Sequence, residues 1–195
     1  GQLGDGTTTS RNTPTQISSL GSERTAVAIS TGGEHTCAIL DNGSVSCWGD
    51  NGNGRLGDGT QTNRLTPTLT SSFGGGRTAI SISGGAYHTC VILDDGSISC
   101  WGWNHKAQLG DGSQTNRLTP TQTSSLGSGR TAVAISAGQY FTCALLDNGS
   151  VSCWGDNNDG QLGDGTQNIR NTPTQTSSLG IGRTAVEITS GSIQT

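Results

Sequence analysis

Every 53 residues this chain returns to the same pattern. Cys37, Cys90 and Cys143 keep that step, as do Cys47, Cys100 and Cys153, the leucines at 3, 56, 109 and 162, and the prolines at 14, 67, 120 and 173. A period of this size marks one supersecondary unit copied along the chain, each copy burying its apolar faces on its neighbours. It also separates two kinds of position. Those identical in every copy hold the architecture, and those that differ are free to recognise something. Three full periods occupy 159 of the 195 residues. The chain starts inside one copy, at Gly1-Gln-Leu-Gly-Asp-Gly6, and stops at Thr195, one residue before the next cysteine is due. It is therefore expected to be a stretch of a longer array.

Aligned on the period, the unit opens with Thr25-Ala-Val-Ala-Ile-Ser30, a β-branched alternation that predicts a strand. A Gly32-Gly33 turn leads to His35-Thr-Cys-Ala-Ile-Leu40, and the turn Asp41-Asn-Gly43 leads on to Ser44-Val-Ser-Cys-Trp48. A long loop rich in Gly, Asn and Asp then passes through Leu56-Gly-Asp-Gly59 to a weak fourth strand, Thr68-Leu-Thr70. No segment has a helical period. Register follows from the central turn. A two-residue Asn42-Gly43 turn would set Cys37 opposite Trp48, whereas a three-residue loop with Gly43 left-handed in a bulge pairs Ile39 with Val45 and Cys37 with Cys47. Only the second register aligns apolar with apolar and cysteine with cysteine in every copy, giving Ile92–Ile98 with Cys90–Cys100, then Leu145–Val151 with Cys143–Cys153. It also places the cysteines at a non-hydrogen-bonded pair, where side chains come closest.

The other face of the same hairpin carries Ala38, Leu40 and Trp48, so both faces of the sheet are apolar and each sheet must lie between neighbours. The expected fold class is all-β. Four-stranded antiparallel sheets arranged radially make a β-propeller; solenoid coils have shorter periods and no hairpin meander. The expectation is an incomplete ring of about three and a half blades. Residues 1–24 end one partial blade, 25–77, 78–130 and 131–183 are blade repeats, and 184–195 begin another.

Written out, the unit reads Gly32-x-x-His-Thr-Cys37-x-x-Leu-Asp-x-Gly-Ser-x-x-Cys-Trp-Gly49, followed by Gln-Leu-Gly-Asp-Gly (as at 108–112) and a later Pro-Thr. It resembles the repeat of the regulator of chromosome condensation family, over essentially the whole chain. The resemblance implies a propeller, typically of seven blades with about fifty residues each, so that this chain supplies about half a ring. Members of that family share a scaffold rather than a chemistry: some promote nucleotide exchange on a small GTPase, some sense light, and one secreted bacterial group inhibits β-lactamases. The cysteine pair in each blade departs from the nuclear members, and the exchange-factor role is not carried over.

Six cysteines in three Cys-x9-Cys pairs admit a staple, a metal site or a catalyst. Zinc sites show close Cys-x2–4-Cys ligand pairs, which are absent. A catalytic thiol would not be copied three times. Disulfides need only opposed Cβ atoms, which the register supplies, and each contributes on the order of 2–4 kcal/mol. With hydrophobic residues at 29% and 32 glycines, thin blade cores call for such fastening. Persistent disulfides imply an oxidising compartment, extracellular or at the cell surface.

Other candidate chemistry is weaker. His35 and His88 share a repeat position and could suggest a metal ring, but the later copies carry Phe141 and Gln194 there. The loops Asp50–Gly54 and Asp156–Gly160 lack the acidic alternation of calcium loops, and turn chemistry accounts for them. Asn42-Gly-Ser44 and Asn148-Gly-Ser150 match the glycosylation acceptor, although Asn-Gly is also what the hairpin turn needs. No Gly-x-Ser-x-Gly elbow and no Ser–His–Asp grouping can be assembled, so an enzyme is not expected. Neither a metal nor a cofactor is implied. Fourteen acidic residues against ten basic ones give a net charge of −4, which argues against a nucleic-acid partner. No apolar run approaches the length of a membrane span.

Two stretches vary strongly between copies. One precedes the second strand: Glu34-His35, Tyr87-His88, Tyr140-Phe141 and Ile193-Gln194. The other follows Trp-Gly and includes Trp103 and His105 in the middle copy. Aromatic residues on a rigid rim are common anchors for a partner. The expected function is thus a secreted or surface-exposed, non-enzymatic interaction scaffold that recognises a protein or glycan. Its candidate contacts are Glu34, His35, Tyr87, His88, Trp103, His105, Tyr140 and Phe141. The alternative is a structural surface or filament protein whose blades are assembly units, with self-association or further blades closing the ring.

Overall fold

The computed structural model describes residues 1–191. It holds three four-stranded antiparallel sheets, each a meander in chain order. The first contains β1 (Ala26–Thr31), β2 (His35–Leu40), β3 (Val45–Gly49) and β4 (Arg64–Leu69). The second contains β5 (Ala79–Gly84), β6 (His88–Leu93), β7 (Ile98–Gly102) and β8 (Arg117–Gln122). The third contains β9 (Ala132–Ala137), β10 (Phe141–Leu146), β11 (Val151–Gly155) and β12 (Arg170–Gln175). Strands β1, β5 and β9 lie side by side at the inner edge, so the sheets fan out as the blades of a propeller. The ring is incomplete, with three blades.

Cys37 pairs with Cys47, Cys90 with Cys100 and Cys143 with Cys153, as the three-residue turn requires. Gly43 takes φ 74°, the left-handed bulge position, and its N–H donates to Leu40 O at 2.8 Å. Each cysteine pair is a disulfide with Cα atoms 4.1 Å apart. The fourth strand begins earlier than its sequence suggests, at Arg64, and runs through Pro67. It can do so because it is the outer edge, where a missing N–H interrupts no ladder.

Both faces of the central hairpins are buried, and β2, β3, β6 and β7 have no exposed residue. Opposite faces of adjacent blades meet. Cys37, Ile39, Val45 and Cys47 of one blade pack on Val91, Leu93 and Trp101 of the next, with Leu56 and Phe73 from the connecting stretch filling the seam. The second seam repeats this with Cys90, Ile92, Ile98 and Cys100 against Ala144, Leu146 and Trp154, closed by Leu109. The disulfides therefore lie in the seams between blades. At about 2 kcal/mol for each fully buried aliphatic side chain, the seams supply much of the stability.

The loop that follows Trp-Gly crosses onto the next blade. Arg55 O accepts from Thr89 Oγ1 and Trp101 Nε1, both at 2.9 Å, and Gln108 O accepts likewise from Thr142 and Trp154. Gly57 and Gly110 sit so close to these indoles that a Cβ would lie 2.7 Å from the ring, which explains the constant Leu-Gly-Asp-Gly.

Candidate functional site

The two variable stretches of each blade meet because one backbone hydrogen bond joins them. Asp50 N–H donates to Glu34 O, Trp103 N–H to Tyr87 O, and Asp156 N–H to Tyr140 O, at 2.9–3.0 Å. Three residue pairs thus stand in a row along one end of the blades: Glu34 with Asp50, Tyr87 with Trp103, and Tyr140 with Asp156. The blades hold them at fixed spacing.

Aromatic side chains from adjacent blades close into one cluster. The Tyr87 and Tyr140 rings stack at 5.6 Å between centroids, only 7° from parallel. Trp103 packs on Tyr140 at 5.2 Å and on Tyr87 at 5.8 Å, and the exposed His105 meets Trp103 edge-on at 5.5 Å. The Arg55 guanidinium lies 5.1 Å from the Tyr87 ring centroid and pairs with Asp50 at 2.9 Å. On the other side Lys106 pairs with Asp156 at 3.3 Å. Desolvation, followed by the neighbouring Tyr87, holds the Tyr140 phenol above its ordinary range. Tyr87, Trp103 and Tyr140 are each half-buried, so their contacts with one another leave ring surface open to a partner.

Of the eight candidate contact residues, Tyr87, Trp103, His105 and Tyr140 come together here, and Glu34 is exposed one blade away. The other three are corrected by the structure. His35, His88 and Phe141 are buried in the seams at 1%, 0% and 8% exposure, out of a partner's reach. What the three positions share is a ring covering a glycine of its own blade, Gly32, Gly85 or Gly138. Thr89 Oγ1 donates to Arg55 O, so it accepts from His35 Nε2–H at 2.8 Å; Thr142 and His88 repeat the arrangement. Nδ1 of both histidines has no partner among the described residues. Burial pushes both down to about 3, with Arg55 adding to the effect on His35 and His35 to that on His88. The Ile193-Gln194 copy lies outside the described residues.

The loops are organised by asparagine, a role the sequence reading passed over. Asn51 Nδ2 donates to Asp58 Oδ1, Thr60 O and Thr62 O, while its Oδ1 accepts from Leu56 N–H. Asn104 repeats all four bonds with Asp111, Ser113, Thr115 and Leu109. Asn157 keeps those to Asp164, Thr166 and Leu162. The signal was available, since Asn51, Asn104 and Asn157 keep the 53-residue step inside an otherwise variable loop. Burial alone would raise the Asp58 carboxyl, but hydrogen bonds from Thr60 and Arg64 hold it below its ordinary value.

Blades joined through such seams, with variable loops gathered on one rim, define the class: a β-propeller array. The sequence profile described as the regulator of chromosome condensation (RCC1) repeat matches residues 1–39, 42–92, 95–145 and 148–195. The chain belongs to that family. The ultraviolet-B receptor UVR8 of Arabidopsis thaliana is 34% identical over 165 residues, 85% of this chain and 37% of the receptor. The E3 ubiquitin-protein ligase HERC2 of Homo sapiens is 30% identical over 195 residues, 99% of this chain and 4% of the ligase. The chain thus spans well under half of either relative. Among solved structures, Prp20p of Saccharomyces cerevisiae, described with its binding to Gsp1p and histones, superposes with a TM-score of 0.75 at 18% identity. That match covers 86% of this chain and 42% of Prp20p, and at such identity it speaks to the fold.

Proposed function

We propose that this chain is a non-catalytic interaction scaffold that docks a protein partner on its aromatic rim, at the cell surface or outside the cell. One observation carries the reading: Tyr87, Trp103, His105 and Tyr140, all at positions that change from copy to copy, form one cluster across two blades. Tyr and Trp are enriched among residues that dominate binding energy. The disulfide in every blade is consistent with an oxidising compartment. Family membership supports a scaffold role in general terms, and UVR8 is by its name a receptor.

The test places a photo-crosslinking residue at His105, on the rim, or at Asn42, in the exposed hairpin turn at the far end of the blade. Exposed to the secreted and surface fraction of the source cells, the rim variant should trap a discrete protein and the Asn42 variant none. Trp103→Ala with Tyr140→Ala should abolish the adduct and lower the melting temperature only slightly. Equal adducts from both positions, or collapse of the fold in the double variant, would remove the basis of the proposal. Adducts with glycans alone would replace the protein partner by a sugar.

A further inference from the structure

One missing hydrogen bond sets the middle rim loop apart from the loops on either side. In the first blade the loop opens with Asp50, whose Oδ2 lies 2.9 Å from Arg55 Nη2. In the third it opens with Asp156, whose Oδ2 accepts from Gln161 Nε2 at 3.2 Å. Arg55, Gln108 and Gln161 occupy the same place in the repeat. In the middle blade the loop opens with Trp103, and Gln108 Nε2 is left without a partner among the described residues, in a residue of 0% exposure. The amide's orientation is settled by its other end. Gln108 Oε1 accepts from Lys106 N–H at 3.1 Å, as Gln161 Oε1 accepts from Asp159 N–H at 3.0 Å. The stranded group is therefore the NH2, and it faces the place where the flanking blades carry a carboxylate.

A buried donor with no acceptor is costly to the fold, and its equivalents in the flanking blades bond the residue that opens the loop, the position Trp103 fills here. Resting on the rim reading above, we propose that Trp103 and Gln108 form a carboxylate-accepting notch. An aspartate or glutamate side chain of the protein partner takes the place that Asp50 and Asp156 hold in the adjacent blades. One carboxylate oxygen accepts from Gln108 Nε2, and the other is within the reach of Lys106, the chain's single lysine. The surrounding charges are balanced: Arg55 is paired with Asp50 and Lys106 with Asp156. Glu34 stands one blade away and disfavours a second acid on that side. Because Gln108 Nε2 has no contact with solvent, the carboxylate reaches it as Trp103 turns out of its cluster with Tyr87, Tyr140 and His105. Binding is thus reported by Trp103 itself.

The experiment titrates 15N-labelled protein with three probes: N-acetyl-Gly-Glu-Gly-amide, the same peptide with Gln for Glu, and glucuronic acid. The Glu peptide should move the Gln108 side-chain amide and the Trp103 indole resonances in a saturable way, and the Gln peptide should move neither. Trp103→Asp supplies the carboxylate from within, so its Gln108 amide should already resonate as Gln161 does and should ignore the peptide. Gln108→Leu should lose the response of Trp103. No shift with the Glu peptide, equal shifts with the Gln peptide, or an undiminished response in Trp103→Asp would overturn the notch. A response to glucuronic acid without one to the Glu peptide would overturn the protein source. Crosslinking from His105 that persists while Gln108 stays silent would leave the rim reading standing and refute the notch alone.

Discussion

Acid should loosen the seams between blades. His35 and His88 are buried neutral, each with its Nε2–H spent on a threonine of the next blade and its ring held down to about 3. The unfolded chain binds a proton at each imidazole near pH 6.5, while the folded chain does not until about pH 3. A depressed histidine of this kind contributes its full stability above the unfolded value, and loses it as pH falls from about 6.5 towards 3. At pH 5 the loss is about 2 kcal/mol for each histidine and about 4 kcal/mol for the pair, relative to pH 7.5. The carboxylates held low in the loops, Asp58 and Asp111, lose their contribution only at and below the ordinary carboxylate range, so they leave the window from pH 7.5 to 5 to the histidines.

The control is supplied by the third blade, where Phe141 occupies the histidine position with its ring over Gly138. His35→Phe with His88→Phe removes both titrating groups while keeping a ring in each place. At neutral pH the double variant forgoes two hydrogen bonds, about 1 kcal/mol each. Between pH 7.5 and 5 its stability should be nearly flat. Thermal unfolding followed by circular dichroism decides the matter, since about 4 kcal/mol corresponds to roughly 8–16 °C for a chain of this length. A wild-type melting temperature unchanged at pH 5, or a double variant that falls as far as the wild type, would refute the reasoning.

Two further outcomes follow from the seams and loops. A Cβ at Gly54 would lie 2.4 Å from Leu118 Cδ2, so Gly54→Ala should cost about 1–3 kcal/mol for the overlap, plus about 1 kcal/mol for its left-handed backbone. Ala107 is tolerated at the same place, with φ 61°, where the residue equivalent to Leu118 is Asn171; Leu118→Asn should therefore restore much of the loss in Gly54→Ala, and melting curves showing no rescue would sink the explanation. Cys90→Ala with Cys100→Ala opens a link of sequence separation 10 and should lower stability in urea by about 3 kcal/mol, unless the reduced wild type proves equally stable.

What the chain disclosed in advance, and what it kept back, follows from where each residue finds its partner. Cys37 and Cys47 lie on one hairpin, and a turn of known length sets their register, so the disulfide could be read by counting. The partners of His35, of the Arg55 carbonyl and of Gly54 sit on another copy. A repeat step shows that Thr36, Thr89 and Thr142 are constant without showing which surface they meet. Only the assembled seam reveals that the threonine hydroxyl is already committed to the carbonyl of Arg55 or Gln108. The opposing ring then need only fill space over a glycine, and histidine or phenylalanine will do. That is why variation at 35, 88 and 141 marked packing, whereas variation one residue earlier marked the rim. Difference between copies is therefore necessary for recognition but not sufficient; the differing side chain must also reach solvent. Gln108 adds a sharper criterion, because its stranded amide shows a loop that gave up a bond its neighbours keep. Such an uncompensated loss, in the loop that supplies Trp103 and His105 to the aromatic cluster, locates function more narrowly than variation does.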